Sequence, residues 1–306
     1  MYSLSGSLTK VSMFFLLTMI FCEEALIIVF YLEPPFEGTN FIRRRYCIGG
    51  SFVDLQLAGK KALVTAASQG IGNFIANTLA AEGADVSICA RTPEKVAAAV
   101  EELKSHGTNV IGAPCDVSDP DALKAWVEDS AAQLGGIDIL VNNASAGGGG
   151  DLWDEHYSID MMATVNGTNA ALPFLTESGT GSVVTISTCA AVEAFPPPPA
   201  TSAGAYGAMK AAQLNWSSFA AIQHAPNGIR FNVVSPGPTY FEGGPWHNIE
   251  QAMPPFFEMI KANAPSGFGS GTDVANVAVF LASPASNHTT GVNVVVDGGF
   301  TRRVDF

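Results

Sequence analysis

From residue 60 onward the chain repeats one pattern: a short, nearly unbroken apolar run, a polar or Gly-containing break, then a longer stretch whose apolar positions recur at helical spacing. The short runs fall at 60–65, 84–90, 109–115, 137–142, 182–188, 229–235 and 293–297. Runs apolar at nearly every position predict strands covered on both faces rather than on one. Helices are predicted between them, over 72–82, 93–105, 120–134, 158–176, 206–221 and 271–281. In the first helix Phe74, Ile75, Thr78 and Leu79 face inward.

Strands alternating with crossover helices predict a single doubly wound, Rossmann-type α/β domain over 54–306, with a seven-stranded parallel sheet and helices on both faces. Residues 1–53 do not join this pattern. They hold two apolar runs, 11–22 and 25–32, broken by Glu23 and Glu24. Neither reaches the ~20 residues of a membrane helix, so no membrane span is expected. The first run, preceded by Lys10, resembles the apolar part of a secretory signal but lacks a clean cleavage site. The extension reads as a leader from a misassigned start, with Val53 suitably placed as the true one; a signal or anchor and a structural extension stay open beside it.

Charge narrows the partners. There are 15 Lys plus Arg against 28 Asp plus Glu, and the bases and acids before residue 54 cancel, so the whole net charge of -13 falls on the domain. No nucleic-acid partner is expected, since tracking phosphates needs a concentrated basic patch. Five cysteines, an odd number without a CxxC pair, read as reduced thiols of a cytoplasmic protein, and no metal site is expected.

In such sheets the ligand crevice lies beyond the carboxyl ends of the strands. After the first run the chain reads Thr65-Ala66-Ala67-Ser68-Gln69-Gly70-Ile71-Gly72. The glycines let backbone approach a pyrophosphate, whose charge is held by free N–H groups at the start of the next helix. Asp116, with Val117 after it, follows the third run and can accept from an adenine amino group; Asn142, Asn143 and Ala144 follow the fourth and can line a ribose. Further on, Tyr206 and Lys210 are four residues apart, on one helix face. A phenol titrates near 10, too high for efficient acid/base work at neutral pH, and a neighbouring ammonium can stabilise its anion. Thr188 or its neighbour Ser187 ends the preceding strand and can donate to a developing oxyanion. Asn166, a polar amide inside a helix, can hold a water that links Lys210 to solvent.

With this ordered set the chain resembles, over about 54–306, the short-chain dehydrogenase/reductase family, and within it the bacterial 3-oxoacyl-carrier-protein reductase-like members. The resemblance implies an NAD(P)(H)-dependent oxidoreductase that interconverts a carbonyl and a secondary alcohol by hydride transfer. It implies Tyr206 as general acid/base, Lys210 on the nicotinamide ribose, Thr188 as hydroxyl donor and Asn166 in a proton relay. Pro236 and Gly237 would border the nicotinamide, Thr239 would touch its carboxamide, and the protein would be a homotetramer. Enoyl reduction, epimerisation or dehydration on the same scaffold, and a catalytically silent NAD(P)-binding sensor, are the rival readings.

Three positions depart from the family pattern: Ala66 and Ser145 stand where it has glycine, and Thr188 where it has serine. The 18 residues from Thr188 to Tyr206 are more than the pattern expects, and the excess coincides with the prolines of 195–199. These would form a stiff extended loop at the entrance. A lid is expected near 238–262, where Tyr240, Phe241, Trp246, Phe256 and Phe257 would cover a hydrophobic or acyl-type small-molecule substrate, or pack the lid to the body. At the end of the second strand Ala90 replaces the carboxylate of NAD-users and Arg91 is placed to meet a 2′-phosphate, so NADP is expected over NAD.

Overall fold

The computed structural model describes residues 53–147, 152–194 and 204–302, and the backbone of 15–22 and 25–32. It divides the chain into two compact units, Met1–Asp54 and Leu55–Phe306. In the first, β1 (Phe15–Cys22) and β2 (Ala25–Leu32) pair antiparallel, with Phe15 opposite Leu32 and Cys22 opposite Ala25. Within the apolar runs, 15–22 and 25–32 are thus strands, as their β-branched and aromatic content favours.

The second unit runs β3 (Lys61–Val64), α1 (Gly70–Ala81), β4 (Asp85–Ala90), α2 (Pro93–Lys104), β5 (Val110–Pro114), α3 (Pro120–Leu134) and β6 (Ile139–Asn142). It continues through α4 (Trp153–Glu155), a π-helical segment (His156–Met162), α5 (Ala163–Ser178), β7 (Ser182–Ile186), α6 (Gly204–His224) and β8 (Arg230–Pro236). It closes with α7 (Pro245–Ala252), α8 (Pro254–Ala262), α9 (Gly271–Ala282) and β9 (Asn293–Val296). The seven strands pair in parallel in the order β5-β4-β3-β6-β7-β8-β9. Strand order reverses between β3 and β6, so the ligand crevice belongs at their carboxyl ends.

Alternate side chains of each strand enter opposite layers. Ala62, Val64, Ile139 and Val141 pack with Ile75, Leu79, Val274 and Val279 of α1 and α9. Leu63, Leu140 and Val183 pack with Leu123, Trp126, Ala171 and Leu175 of α3 and α5. Burying each such aliphatic side chain stabilises the fold by about 1.5–3 kcal/mol. Local signals set the helix limits: Asp119 accepts from the N–H groups of Asp121 and Ala122 at the start of α3, and Gly135 ends that helix at φ 77°.

The structure differs from the sequence pattern in three places. The predicted 158–176 helix starts earlier and passes through the π-helical turn, whose extra residue a 3.6-residue period hides. The fifth strand of the sequence ends at Ile186, which leaves Ser187 and Thr188 beyond the sheet edge. The 240–257 segment contains α7 and α8, each with proline in its first turn. The proline run of 195–199 lies outside the described residues.

Candidate active site

The turn after β3 is made of backbone. Gly70 has φ 65°, and Gly72 packs so closely that a Cβ there would lie 2.9 Å from Ala66 O and against the Asn143 amide. Ala66 itself takes φ 52°, a left-handed conformation that glycine adopts without strain. At the N-terminus of α1, Gln69 makes no side-chain cap and the first turn carries no acidic residue, so its N–H groups are suited to an anion. Thr65 and Asn143 brace this turn across the switch point. Thr65 Oγ1 accepts from the N–H of Asn143 (2.9 Å) and of Ala144 (3.2 Å), and Asn143 Nδ2 donates to Thr65 O at 3.0 Å. Asn142 turns the other way and donates to Thr168 Oγ1 on α5 at 3.0 Å. Ala67 is buried, its N–H bonded to Cys89 O; Ser68 and Ile71 are half-buried and Gln69 exposed.

Arg91 is exposed just after β4. Lys95, in the first turn of α2, donates to Gln69 Oε1 at 2.9 Å. It brings a second cation, beside Arg91, to the turn. Asp116 accepts from Ser118 N (3.0 Å) and Oγ (2.7 Å), and these bonds hold its carboxyl below the usual range, aided by Arg91. Val117 is buried in the core beside it.

Beyond β7 the hydroxyls part. Ser187 Oγ donates to Lys210 O at 3.1 Å on α6, whereas the Thr188 side chain hydrogen-bonds Tyr206. Burial pushes the Tyr206 phenol up to about 12, with the Thr188 bond opposing and the charge of Asp160 adding to the rise. The ammonium of Lys210 is fully buried, donates to Ile186 O at 3.0 Å and lies 3.0 Å from Asp160 Oδ1. Its acidity is raised by burial, and Asp160 works against that. The expected lowering of the phenol by Lys210 is therefore not what this arrangement shows: burial raises it, and the charge of Asp160 adds to the rise. Asn166 is half-buried on α5 and is not among the groups Lys210 Nζ meets, which among the described residues are Ile186 O and Asp160. Sequence reasoning missed Asp160 because the π-helical turn sets its direction.

At the end of β8, Gly237 donates to Val296 O (2.9 Å) and packs so tightly that a Cβ would meet Asp297 Cα at 2.7 Å. Pro236 is buried beside it, as is Thr239, whose hydroxyl donates to Gly237 O. Phe256 and Phe257 are buried with Ile260; Trp246 stacks on Phe256, and Phe268 meets Trp246 and Phe257 at 5.1 Å. These rings pack on one another. Phe241 instead lies over the nucleotide turn, edge-on to Phe74 and 3.4 Å from where a Gly70 Cβ would be.

Residues 65–301 match the family described as enoyl-(acyl carrier protein) reductase. The chain is 38% identical to isoepoxydon dehydrogenase of Aspergillus clavatus over 252 residues, 79% of this chain and 95% of that one. It is 31% identical to 2,3-dihydro-2,3-dihydroxybenzoate dehydrogenase of Bacillus subtilis over 258 residues, 80% of this chain and 97% of that one. The structure of L-sorbose reductase from Gluconobacter frateurii, complexed with NADPH and L-sorbose, superposes with a TM-score of 0.74 at 28% identity, over 82% of this chain and 100% of that chain. The chain belongs to the short-chain dehydrogenase/reductase family and is an NAD(P)-dependent oxidoreductase of that family.

Proposed function

We propose that the chain interconverts a carbonyl and a secondary alcohol on a hydrophobic cyclic or acyl-type small molecule, with Tyr206 as general acid/base and NADP(H) preferred over NAD(H). The observation that carries this reading is the Tyr206–Thr188 hydrogen bond with Lys210 one helical turn away. Two hydroxyls meet at one point, where a carbonyl oxygen can accept from both. A phenol at about 12 keeps its proton at neutral pH and is ready to give it to the oxygen of a ketone under reduction. Thr188 donates to the same oxygen as charge grows on it. The dinucleotide, when bound, supplies or takes the hydride. Glycines 70 and 72, the uncapped start of α1 and the Thr65–Asn143 brace would hold its phosphates and ribose; Asp116, Pro236, Gly237 and Thr239 would line the rest. Asn166 keeps a role only through a water.

Exposed Trp153 lies at the start of α6, 3.2 Å from where a Gly204 Cβ would be, and with exposed Tyr157 it favours an apolar substrate. The ring diol in the name of the Bacillus relative agrees with a cyclic alcohol. A homotetramer in the cytoplasm goes with this reading, and free Cys89, Cys115 and Cys189 suit a reducing compartment. Light scattering after size exclusion tests the assembly.

The deciding assay follows loss of reduced-cofactor absorbance with cyclic ketones, 3-oxoacyl thioesters and enoyl thioesters. Oxidation with ketones is expected; turnover confined to enoyl compounds, or none, overturns the reading. For the cofactor, kcat/KM should favour NADPH, and Arg91→Ala and Lys95→Ala should each remove most of that preference through weaker NADPH use. A preference for NADH overturns the choice, and an unchanged ratio removes that cation from the phosphate site.

A further inference from the structure

Beside Tyr206, Lys210 ends a chain of buried polar side chains whose other members, His156 and Asp160, have no place in that reaction. His156, Asp160 and Lys210 are 0%, 0% and 1% exposed. His156 Nδ1 lies 2.6 Å from Asp160 Oδ2, and Lys210 Nζ 3.0 Å from Asp160 Oδ1. The π-helical segment supplies the first two residues, four apart on one face, and α6 supplies the third. Gln213, one turn beyond Lys210, locks the two elements together by donating to Asp160 O and, at 2.8 Å, to Thr164 Oγ1. The His156 ring is 5.6 Å from that of Tyr206.

Stability alone is a poor reason to keep such a group. Desolvating two charges offsets most of their attraction, and apolar replacements are often as stable. A buried lysine without an anion, by contrast, gives up its proton, because a low-dielectric surrounding penalises the charged form. A neutral amine cannot steady a phenolate. Asp160 opposes this loss by charge and contact. The same carboxylate raises the Tyr206 phenol, so the protein holds Lys210 charged at the expense of an easier phenol ionisation. Cys189 also acts on the Tyr206 phenol, with Asp297 acting in turn on that thiol.

We propose that Asp160, oriented by His156 and Gln213, is a positioning residue that keeps the buried Lys210 ammonium charged and fixed behind Tyr206. The inference rests on the roles of Tyr206 and Lys210 given above.

The test is Asp160→Asn, which keeps the shape and leaves the Gln213 contact, made to backbone, in place. In full-length protein labelled with 13C at the lysine ε-carbon, the Lys210 resonance is identified by its loss in Lys210→Ala. It should titrate at least one pH unit lower in Asp160→Asn than in wild type. Over the pH interval in which that variant's lysine loses its proton, its kcat for ketone reduction should fall tenfold or more, while wild type stays level. His156→Phe, which removes the bond to Asp160 and keeps the volume, should shift both in the same direction by less, and it decides the matter if Asp160→Asn does not fold. A Lys210 titration unmoved in a folded variant overturns the proposal, as does a moved titration with an unchanged pH–rate profile. If the chain reduced no carbonyl at all, the catalytic reading would fail, while the lysine titration would still decide what sets the charge of Lys210.

Discussion

The two halves of the site are made of different material. At the ends of β3 and β6 the recognising groups are main-chain N–H donors and left-handed turns, braced by Thr65 and Asn143. At the end of β7 and the start of α6 they are side chains, and the buried ones include the ion pair of Lys210 and Asp160, with His156 hydrogen-bonded to it. A site made of backbone depends on where Cβ atoms are absent, and many side-chain changes leave it whole. A site made of buried side chains depends on a balance of charge that a single atom upsets, because little solvent is present to screen it. Substitutions in the second half should therefore act on kcat, and those in the first on cofactor affinity and stability.

The sharpest break is expected at Tyr206. Tyr206→Phe removes the proton donor and leaves the ring, so turnover should drop by about a thousandfold. Affinity for NADPH, measured by its fluorescence on binding, should stay within about threefold, since the loss is of a proton-transfer group. A variant that keeps more than a tenth of wild-type kcat removes Tyr206 from the chemistry.

Thr188 and Ser187 come next, because adjacent hydroxyls face different partners. Thr188→Val should lower kcat by about 10²-fold, the usual effect of losing one donor to a developing oxyanion, and Thr188→Ser should restore it. Ser187→Ala, which removes only a bond to Lys210 O, should cost about 1 kcal/mol of stability and little turnover. The reverse ranking moves the donor role to Ser187.

The same division explains what the sequence made legible. Seven apolar runs and a glycine turn repeat on a short period, so strands, helices and the nucleotide turn can be read residue by residue; the helix over Pro120–Leu134 coincides at both ends. Tyr206 and Lys210 share a face because an α-helix has a fixed period. Asp160 was hidden because the π-helical segment breaks that period, and an acid six residues before Asn166 looks like part of a solvated face. Lys95 was hidden because its partner Gln69 is 26 residues away and meets it only once β4 is laid beside β3. The lid aromatics were visible as a cluster, but their mutual packing depends on how α7 and α8 fold back, which composition does not encode.

A smaller effect, of the other kind, is expected at Gly72. A methyl group there would press on Ala66 O at 2.9 Å and Ala67 Cα at 3.0 Å, and backbone cannot rotate away as a side-chain tip can. Gly72→Ala should lower the unfolding free energy by about 1–3 kcal/mol and displace the Asn143 brace. NADPH should bind about tenfold more weakly while kcat at saturation changes little. Unchanged affinity in a folded variant shows that the turn is not where the dinucleotide lies.

The smallest effect tests the same turn from the opposite direction. Ala66 holds φ 52°, where an L side chain loses roughly 1–2 kcal/mol relative to its preferred regions. Glycine escapes that strain but brings a more disordered unfolded chain, worth about 0.4–1 kcal/mol against it. The two terms leave a net gain of about 0.5 kcal/mol for Ala66→Gly, seen as a small rise in the midpoint of chemical denaturation with an unchanged slope. Because the turn's shape is already set by Thr65, Asn143 and Gly72, kcat and the preference between cofactors should not move. A loss of stability instead means that the Ala66 methyl, which packs against the core beneath α3 and α5, outweighs the strain of its backbone.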